Sequence, residues 1–404
     1  MSLTDTNFHG GKSKKLYEYE YKNREQGLTK LWLAWPDDKK VKEAQVTRPP
    51  NLLSSSLDQR IAYYELKEGE EIRLSFKSGA YNPEDSSNTM TNETRIFYLR
   101  STVLSPISEE IRGLALEITT GAKGARDKAE LLFHYLVDNY QYVYPPRVRG
   151  ATAFLKEKKG DCGEYSFLYT ALCRALNIPC RTIVGSWAVG KMQAHVWNEV
   201  YIEETGWIPV DCSMAYIQKK KKLQFLFSDV RTLPWKKYFG TTEGQRIVFS
   251  TDGEIPLEPI YIDVEINKAS NRNSFFNIEG KPFHWGYEAI NGAAPYMQPA
   301  YIRFDEKNLQ GDSKIDNRSY LGEWKVKETG FRRVTFLLKR LSVFLAGFCF
   351  ILGLLIDNPI LDITTSVALV LVAVSFTLRG ERPLLFGVLT VFLLLSFMSV
   401  LNGG

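Results

Sequence analysis

GDCGEYSFLYTALCRALNIPC, residues 160–180, carries the start, the buried face and the stop of a single helix. Asp161 is a good N-cap, and Glu164, three residues later, completes a capping-box pattern with Asp standing in for Ser or Thr. Phe167, Leu168, Ala171, Leu172, Ala175 and Leu176 then recur at helical spacing, and Asn177 before Ile178-Pro179 marks the end. Cys162 falls in the first turn. There the unpaired N–H groups and the positive end of the helix dipole favour thiolate over thiol, which is how a cysteine becomes nucleophilic near neutral pH.

A nucleophilic sulfur needs a proton carrier, and the chain has only four histidines. His9 lies in a polar tail, His134 in the body of a helix and His284 in an irregular aromatic stretch. His195 opens the strand-like run HVWNEVYI, at a strand end from which a side chain reaches a cleft. EETG turns the chain, and the next strand, WIPVD, ends in Asp211, which suits the orientation of an imidazole through its other nitrogen. Side chains alternate along a strand, so His195 and Asp211 share a sheet face only if the connecting loop has an odd number of residues. A three-residue loop, Glu203 to Thr205, relates them diagonally; a five-residue loop sets them directly opposite. Taken singly, each residue has an ordinary structural reading. A buried cysteine is a small hydrophobe, as expected for Cys173, Cys180 and Cys212, and the ordering of Cys, His and Asp on these elements carries the chemical expectation. Cys162 and Cys173 lie about 16 Å apart along the helix, too far to share an ion, so no metal or cofactor is expected.

Outward from this core, residues 14–100 read as short aromatic strands, KLYEYEYKN, LTKLWLAWP, RIAYYELKE and EIRLSFKSG, broken by Pro, Gly, Asn and Asp. After Pro106 the period becomes helical, with Ile111, Leu114, Ala115 and Ile118 on one face and Leu131, Leu132, Tyr135 and Leu136 on the next. The run Lys219 to Lys222 reads as a solvated loop. Residues 256–330 mix strand-like and aromatic loop segments and either finish the catalytic sheet or cover the cleft.

Three apolar blocks close the chain, from Phe336 to Ile356, Ile360 to Leu378 and Leu384 to Leu401, each long enough to cross about 30 Å of hydrocarbon. Arg332, Arg333, Lys339 and Arg340 at the first block and Arg379 and Arg382 before the third fall on one side, which places the large soluble part in the cytoplasm. The opening segment shows no secretion signal, since LWLAW is too short and too far in. A length of 404 residues favours two or three domains. A charge of +5, with 51 Lys plus Arg against 46 Asp plus Glu, is too weak for a nucleic-acid binder. Five cysteines without a CxxC pair fit a reducing compartment.

GDCGEYSFLYTALCRALNIPCR, HVWNEVYI and GWIPVDCS strongly resemble the transglutaminase-like superfamily of papain-related cysteine enzymes, in its bacterial and archaeal branch, with further matches in YLRSTVLSPISEEIRGLALEITTGA and YFGTTEGQRIVFSTDGE. The resemblance covers roughly residues 95–255. It implies a papain-like transglutaminase core (105–330) in an α+β fold, with the early strands as a β-rich accessory domain (1–104); the membrane domain with three transmembrane helices (331–404) lies outside the resemblance and is read from the apolar blocks. It also implies a Cys162, His195, Asp211 triad that forms a thioester from an amide carbonyl. Animal transglutaminases place a tryptophan upstream of the nucleophile to stabilise the oxyanion; this chain has none between Trp35 and Trp187. The Cys162 N–H and either Tyr142 or Tyr144 are the replacement candidates.

The expected function is that of a membrane-anchored cysteine peptidase or amidase, a multi-pass protein with its catalytic domain facing the cytoplasm. Its expected partners are a protein or peptide substrate and, through the C-terminal helices, the lipid bilayer, with no nucleic acid. The alternatives are protein-glutamine gamma-glutamyltransferase cross-linking, in which an amine replaces water, and a catalytically inactive membrane-tethered binding module.

Overall fold

The computed structural model describes residues 15–24, 27–36, 41–57, 59–78, 90–190, 193–221, 224–225, 228, 230–262, 275–278, 280–284, 286, 288–303, 321–327, 329–380 and 383–401. His9 and Lys222 lie outside the described residues. The chain forms two compact units, one built on Lys14–Lys221 and Pro234–Lys327, the other including Lys222–Leu233 and Glu328–Gly404.

In the first unit, strands β1 (Lys15–Lys22), β2 (Thr29–Ala34), β3 (Val41–Val46), β4 (Leu52–Ser56), β5 (Gln59–Leu66) and β6 (Glu71–Ser78) form two antiparallel sheets with β17 (Ala300–Arg303) and β18 (Glu323–Lys327). The orders are β18-β1-β6-β3 and β17-β2-β5-β4. Alternation along β1 sends Tyr17, Tyr19 and Tyr21 into a shared core with Trp32, Tyr64, Tyr301 and Trp324. Of the residues after 256, β17 and β18 thus supply strands to the N-terminal layers, while Tyr296 packs against the start of the helix Cys162–Ala175. The aromatic faces of β1 and β2 are complete only with a partner on their open edges, and β18 and β17 are those partners. The serine-rich β4 lacks an alternating apolar pattern and was not legible as a strand. Within the span read as strands, Asn92–Leu99 is a helix, α1, started by a Thr91 cap that accepts from the Thr94 N–H.

Helices α2 (Glu109–Ile118) and α3 (Ala125–Asn139) follow the expected period, with Ile111, Ala115, Leu132 and Leu136 inward. Leu131 is 39% exposed, because α3 buries the stripe Ala129, Leu132, Phe133, Leu136 and Val137 instead. Two-residue strands β7 (Gln141–Tyr142) and β8 (Lys159–Gly160) pair in parallel on either side of α4 (Ala151–Glu157) and lead into α5 (Cys162–Ala175). Behind α5 stands an antiparallel sheet of β9 (Cys180–Trp187), β10 (Ala194–Ile202), β11 (Gly206–Val210) and β12 (Arg246–Ser250), ordered β11-β10-β9-β12. Helix α6 (Cys212–Lys220) leaves the end of β11, so Lys219 and Lys220 end a helix rather than lie in a loop. Short pairs of β13 (Glu254–Pro256) with β16 (Ala293–Pro295), and of β14 (Phe275–Ile278) with β15 (Lys281–His284), complete this unit.

In the second unit, α7 (Gly330–Gly353) packs along α8 (Pro359–Leu378), and α8 along α9 (Pro383–Leu401). Two helices, α7 and α8, are long and apolar enough to cross a membrane; within α9 the described apolar stretch is Leu385–Leu395. The expectation of three spans is met by two among the described residues. Helix α7 turns Ser342, Ala346 and Cys349 inward and Leu341, Phe344 and Phe348 outward. This inside-out pattern, small residues at the helix contact and bulky apolar ones outside, suits hydrocarbon better than water.

Candidate active site

The start of α5 is built from charge. Asp161 caps the helix by accepting from the Gly163 N–H at 2.8 Å, while Glu164 reaches back to the Asp161 N–H at 3.2 Å, completing the capping box. Arg149 binds both acids, at 2.7 Å to Asp161 Oδ2 and 2.9 Å to Glu164 Oε2. Burial and the neighbouring Asp161 push the Glu164 carboxyl up to about 8. Two glycines allow this packing. A Cβ on Gly160 would stand 2.6 Å from Glu164 Cβ, and one on Gly163 would stand 2.2 Å from the Tyr296 hydroxyl.

Cys162 opens α5 with partial exposure, and the backbone N–H of Val196, the residue after His195, acts on its sulfur. Burial pushes the thiol well above its ordinary value; Asp161 and Asp211 act in the same direction, and the Val196 N–H and Arg149 act against it. The sequence expectation of a resting thiolate is therefore corrected. Desolvation and two nearby carboxylates outweigh the first-turn N–H groups.

His195 lies near the start of β10, 5% exposed, and its Nε2 is 2.7 Å from Asp211 Oδ2. Ile202 faces Gly206 across a loop of Glu203 to Thr205, so the register is the diagonal one. Asp211 is both the residue after β11 and the N-cap of α6; its Oδ1 accepts from Ser213 Oγ and the Met214 N–H, each at 2.8 Å. Although burial raises it, His195 and Arg246 hold the Asp211 carboxyl well below the usual carboxylate range. The sheet is tied to α5 by Asn198, whose amide donates to the Ser166 carbonyl at 3.0 Å and to Thr170 Oγ1 at 2.8 Å.

Three contributors to this site escaped the sequence reading. Trp187 stacks on the His195 ring at 4.3 Å, and Trp197 lies on the same sheet face with its ring 5.9 Å from the imidazole. Arg246 stands 2.8 Å from Asp211 Oδ2. The only signal for the pair of tryptophans was the period-two spacing of Trp197 from His195, and nothing local marks Arg246. Of the two candidate tyrosines, Tyr144 is 74% exposed, whereas burial and then the charge of Cys162 raise Tyr142. Cys173, Cys180 and Cys212 are buried, as expected. His134 sits on α3 edge-on to Trp235, and the His284 side chain lies outside the described residues.

Residues 112–212 match the sequence profile of the Transglutaminase-like superfamily. The peptide-N(4)-(N-acetyl-beta-glucosaminyl)asparagine amidase of Drosophila melanogaster is 29% identical over 115 residues, 25% of this chain and 17% of that protein. Protein png-1 of Neurospora crassa is 28% identical over 119 residues, 29% of this chain and 24% of that protein. The chain thus spans less than a quarter of the length of the curated relatives it matches. Among solved structures, the periplasmic domain of TgpA from Pseudomonas aeruginosa aligns with a TM-score of 0.35 and 16% identity, covering 52% of this chain and 91% of that one. Red sea bream transglutaminase aligns with a TM-score of 0.25 and 11% identity, covering 55% and 54%. Over residues 112–212 this chain carries a transglutaminase-like domain.

Proposed function

We propose that the chain is a membrane-anchored thiol enzyme that cleaves amide bonds, a cysteine peptidase or amidase, with Cys162 as nucleophile, His195 as proton carrier and Asp211 as its orienting carboxylate. The observation that carries this reading is the 2.7 Å contact of His195 Nε2 with Asp211, in the same unit as the helix-start sulfur of Cys162. With the thiol protonated at rest, His195 takes the proton as sulfur attacks the carbonyl carbon. The C–N bond then breaks as His195 returns the proton to the leaving amine. Water, deprotonated by the same imidazole, adds to the thioester and releases the acid and the free thiol. The Cys162 N–H and the Tyr142 hydroxyl are the oxyanion donors in this scheme. The matched relative named as an asparagine amidase acts on the same class of bond.

Helices α7 and α8 serve as the anchor, and the basic residues at the start of α7 and the end of α8 put the catalytic unit on the cytoplasmic side, with protein or peptide substrates and no nucleic acid. The test is incubation of the intact protein and of Cys162→Ala with glutamine- and asparagine-containing peptides plus a labelled primary amine. Cys162-dependent release without label supports hydrolysis, incorporation of label shifts the reading to cross-linking, and no Cys162-dependent product of either kind refutes the enzyme. Protease protection of sealed vesicles tests the sidedness.

A further inference from the structure

We propose that Arg246 is a positioning residue for the imidazole: it fixes the Asp211 carboxylate against His195 and opposes the positive charge that His195 acquires when it takes a proton. The inference rests on the reading of His195 as the proton carrier.

The geometry is closed on every side. Arg246, at the first position of β12, is 1% exposed and lies opposite Trp187 of β9. Its Nε and Nη2 grip the two oxygens of Glu243 at 2.9 Å each, and Nη2 also stands 2.8 Å from Asp211 Oδ2. That same oxygen meets His195 Nε2. With Oδ1 held by Ser213 and Met214, the carboxylate has partners on both oxygens and cannot rotate away from the ring. The guanidinium further lies over Trp187 at 5.0 Å and Trp197 at 4.9 Å, the two rings that stack with the imidazole within 16° and 20° of parallel. Sheet register explains the alignment. His195 faces Gly185, Trp187 and Trp197 are each two residues further on their strands, and Arg246 faces Trp187, so all four side chains share one face. Gly185 leaves the room, since a Cβ there would meet Trp197 at 2.9 Å.

Charge gives the arrangement a directional consequence. The ionisable groups around the pair are Cys162 from α5, Tyr142 from β7, Glu243 from the loop before β12, Tyr238 from the 3₁₀ turn Trp235–Tyr238 and Arg246 itself. A lone carboxylate against an imidazole stabilises the protonated ring and would keep His195 charged, and so useless as a base, to higher pH. Arg246, nearer to Asp211 than Glu243 is, shares that carboxylate and opposes the positive charge the ring takes on with a proton. Glu243 moderates the guanidinium from the far side.

The two halves of this argument predict opposite signs. In the full-length protein, the C2-proton resonance of His195, assigned with His195→Gln, is titrated by NMR alongside the pH dependence of Cys162 alkylation by iodoacetamide. Arg246→Met combined with Glu243→Gln, which removes both charges of the Arg246–Glu243 pair together, is expected to raise the His195 midpoint by about one pH unit, a tenfold gain in proton affinity. Glu243→Gln alone, which keeps the guanidinium, is expected to lower it. Arg246→Lys, with charge but no fork, is expected to return the midpoint toward the parent while broadening the resonance. Opposite shifts support the inference whether or not the protein cleaves amides, because the readout is the ring itself. An unmoved midpoint in Glu243→Gln, or shifts of the same sign in both charge variants, overturns it even if amide cleavage is intact.

Discussion

Gly163→Ala sets two physical effects against each other. Replacing a glycine inside a helix by alanine normally stabilises by up to about 1 kcal/mol through backbone entropy and propensity. Here the new methyl group would stand 2.2 Å from the Tyr296 hydroxyl oxygen, 3.0 Å from Cζ and 3.1 Å from Cε1. Restoring an ordinary 3.4 Å contact needs the oxygen to retreat by about 1.2 Å. Tyr296 has little freedom to do so. It is buried with its backbone in the left-handed region at φ 52°, its N–H donates to the Gly253 carbonyl at 3.1 Å, and its ring packs edge-on against Phe167 at 5.0 Å. Overpacking of this kind costs about 1–3 kcal/mol, so the net expectation is destabilisation by up to about 2 kcal/mol after the propensity gain is subtracted. Thermal unfolding of the parent, Gly163→Ala, Tyr296→Phe and the double variant provides the cycle. The single alanine should lower the midpoint, and removing the hydroxyl should recover part of the loss, with a coupling of about 0.5 kcal/mol or more. A raised midpoint in Gly163→Ala, or a double variant that loses the plain sum of the two singles, would refute the claim that Tyr296 abuts this helix start.

Asp211→Asn should turn an amide donor toward His195 and Arg246, costing about 3–5 kcal/mol as a broken buried pair, with a loss of turnover on the order of 10³–10⁴-fold in an amide-release assay. Because the Asp211 carboxyl sits below its unfolded value, its contribution to stability is present above about pH 4 and lost as pH falls further; acid unfolding of Asp211→Asn should accordingly be less steep than that of the parent. Glu164 has the opposite sign. Raised from 4.5 to about 8, it weakens the fold as pH climbs through that interval, so Glu164→Gln should flatten the stability profile between those values in thermal scans. Asn198→Leu removes both donations from β10 to α5 and should cost roughly 2 kcal/mol, along with a changed rate of Cys162 alkylation; unchanged alkylation would show that Asn198 does not set the spacing of sulfur and imidazole. Alkylation of Cys162 in the parent should be slower near pH 7 than that of an exposed thiol, since burial keeps the sulfur protonated.

Local rules were enough for much of this protein. The Asp161 cap, the Glu164 return bond and the face of α5 follow from interactions within four residues, and a three-residue hairpin loop fixes parity between His195 and Asp211 by itself. The apolar α7 and α8 are equally legible, because a continuous run of hydrocarbon side chains needs no partner to be recognised. What the chain order hides is long-range. Pairing of β1 with β18 joins residues about 300 positions apart, and edge-strand partners leave no mark in the strand that awaits them. The protonation of Cys162 was misjudged for the same reason: its helix position is local, but the burial and the Asp211 charge that raise it arrive from distant segments. Arg246 and Trp187 reach His195 only across a sheet, so their part in the site was settled by tertiary packing, where the field at a side chain is the sum over neighbours that sequence distance does not order.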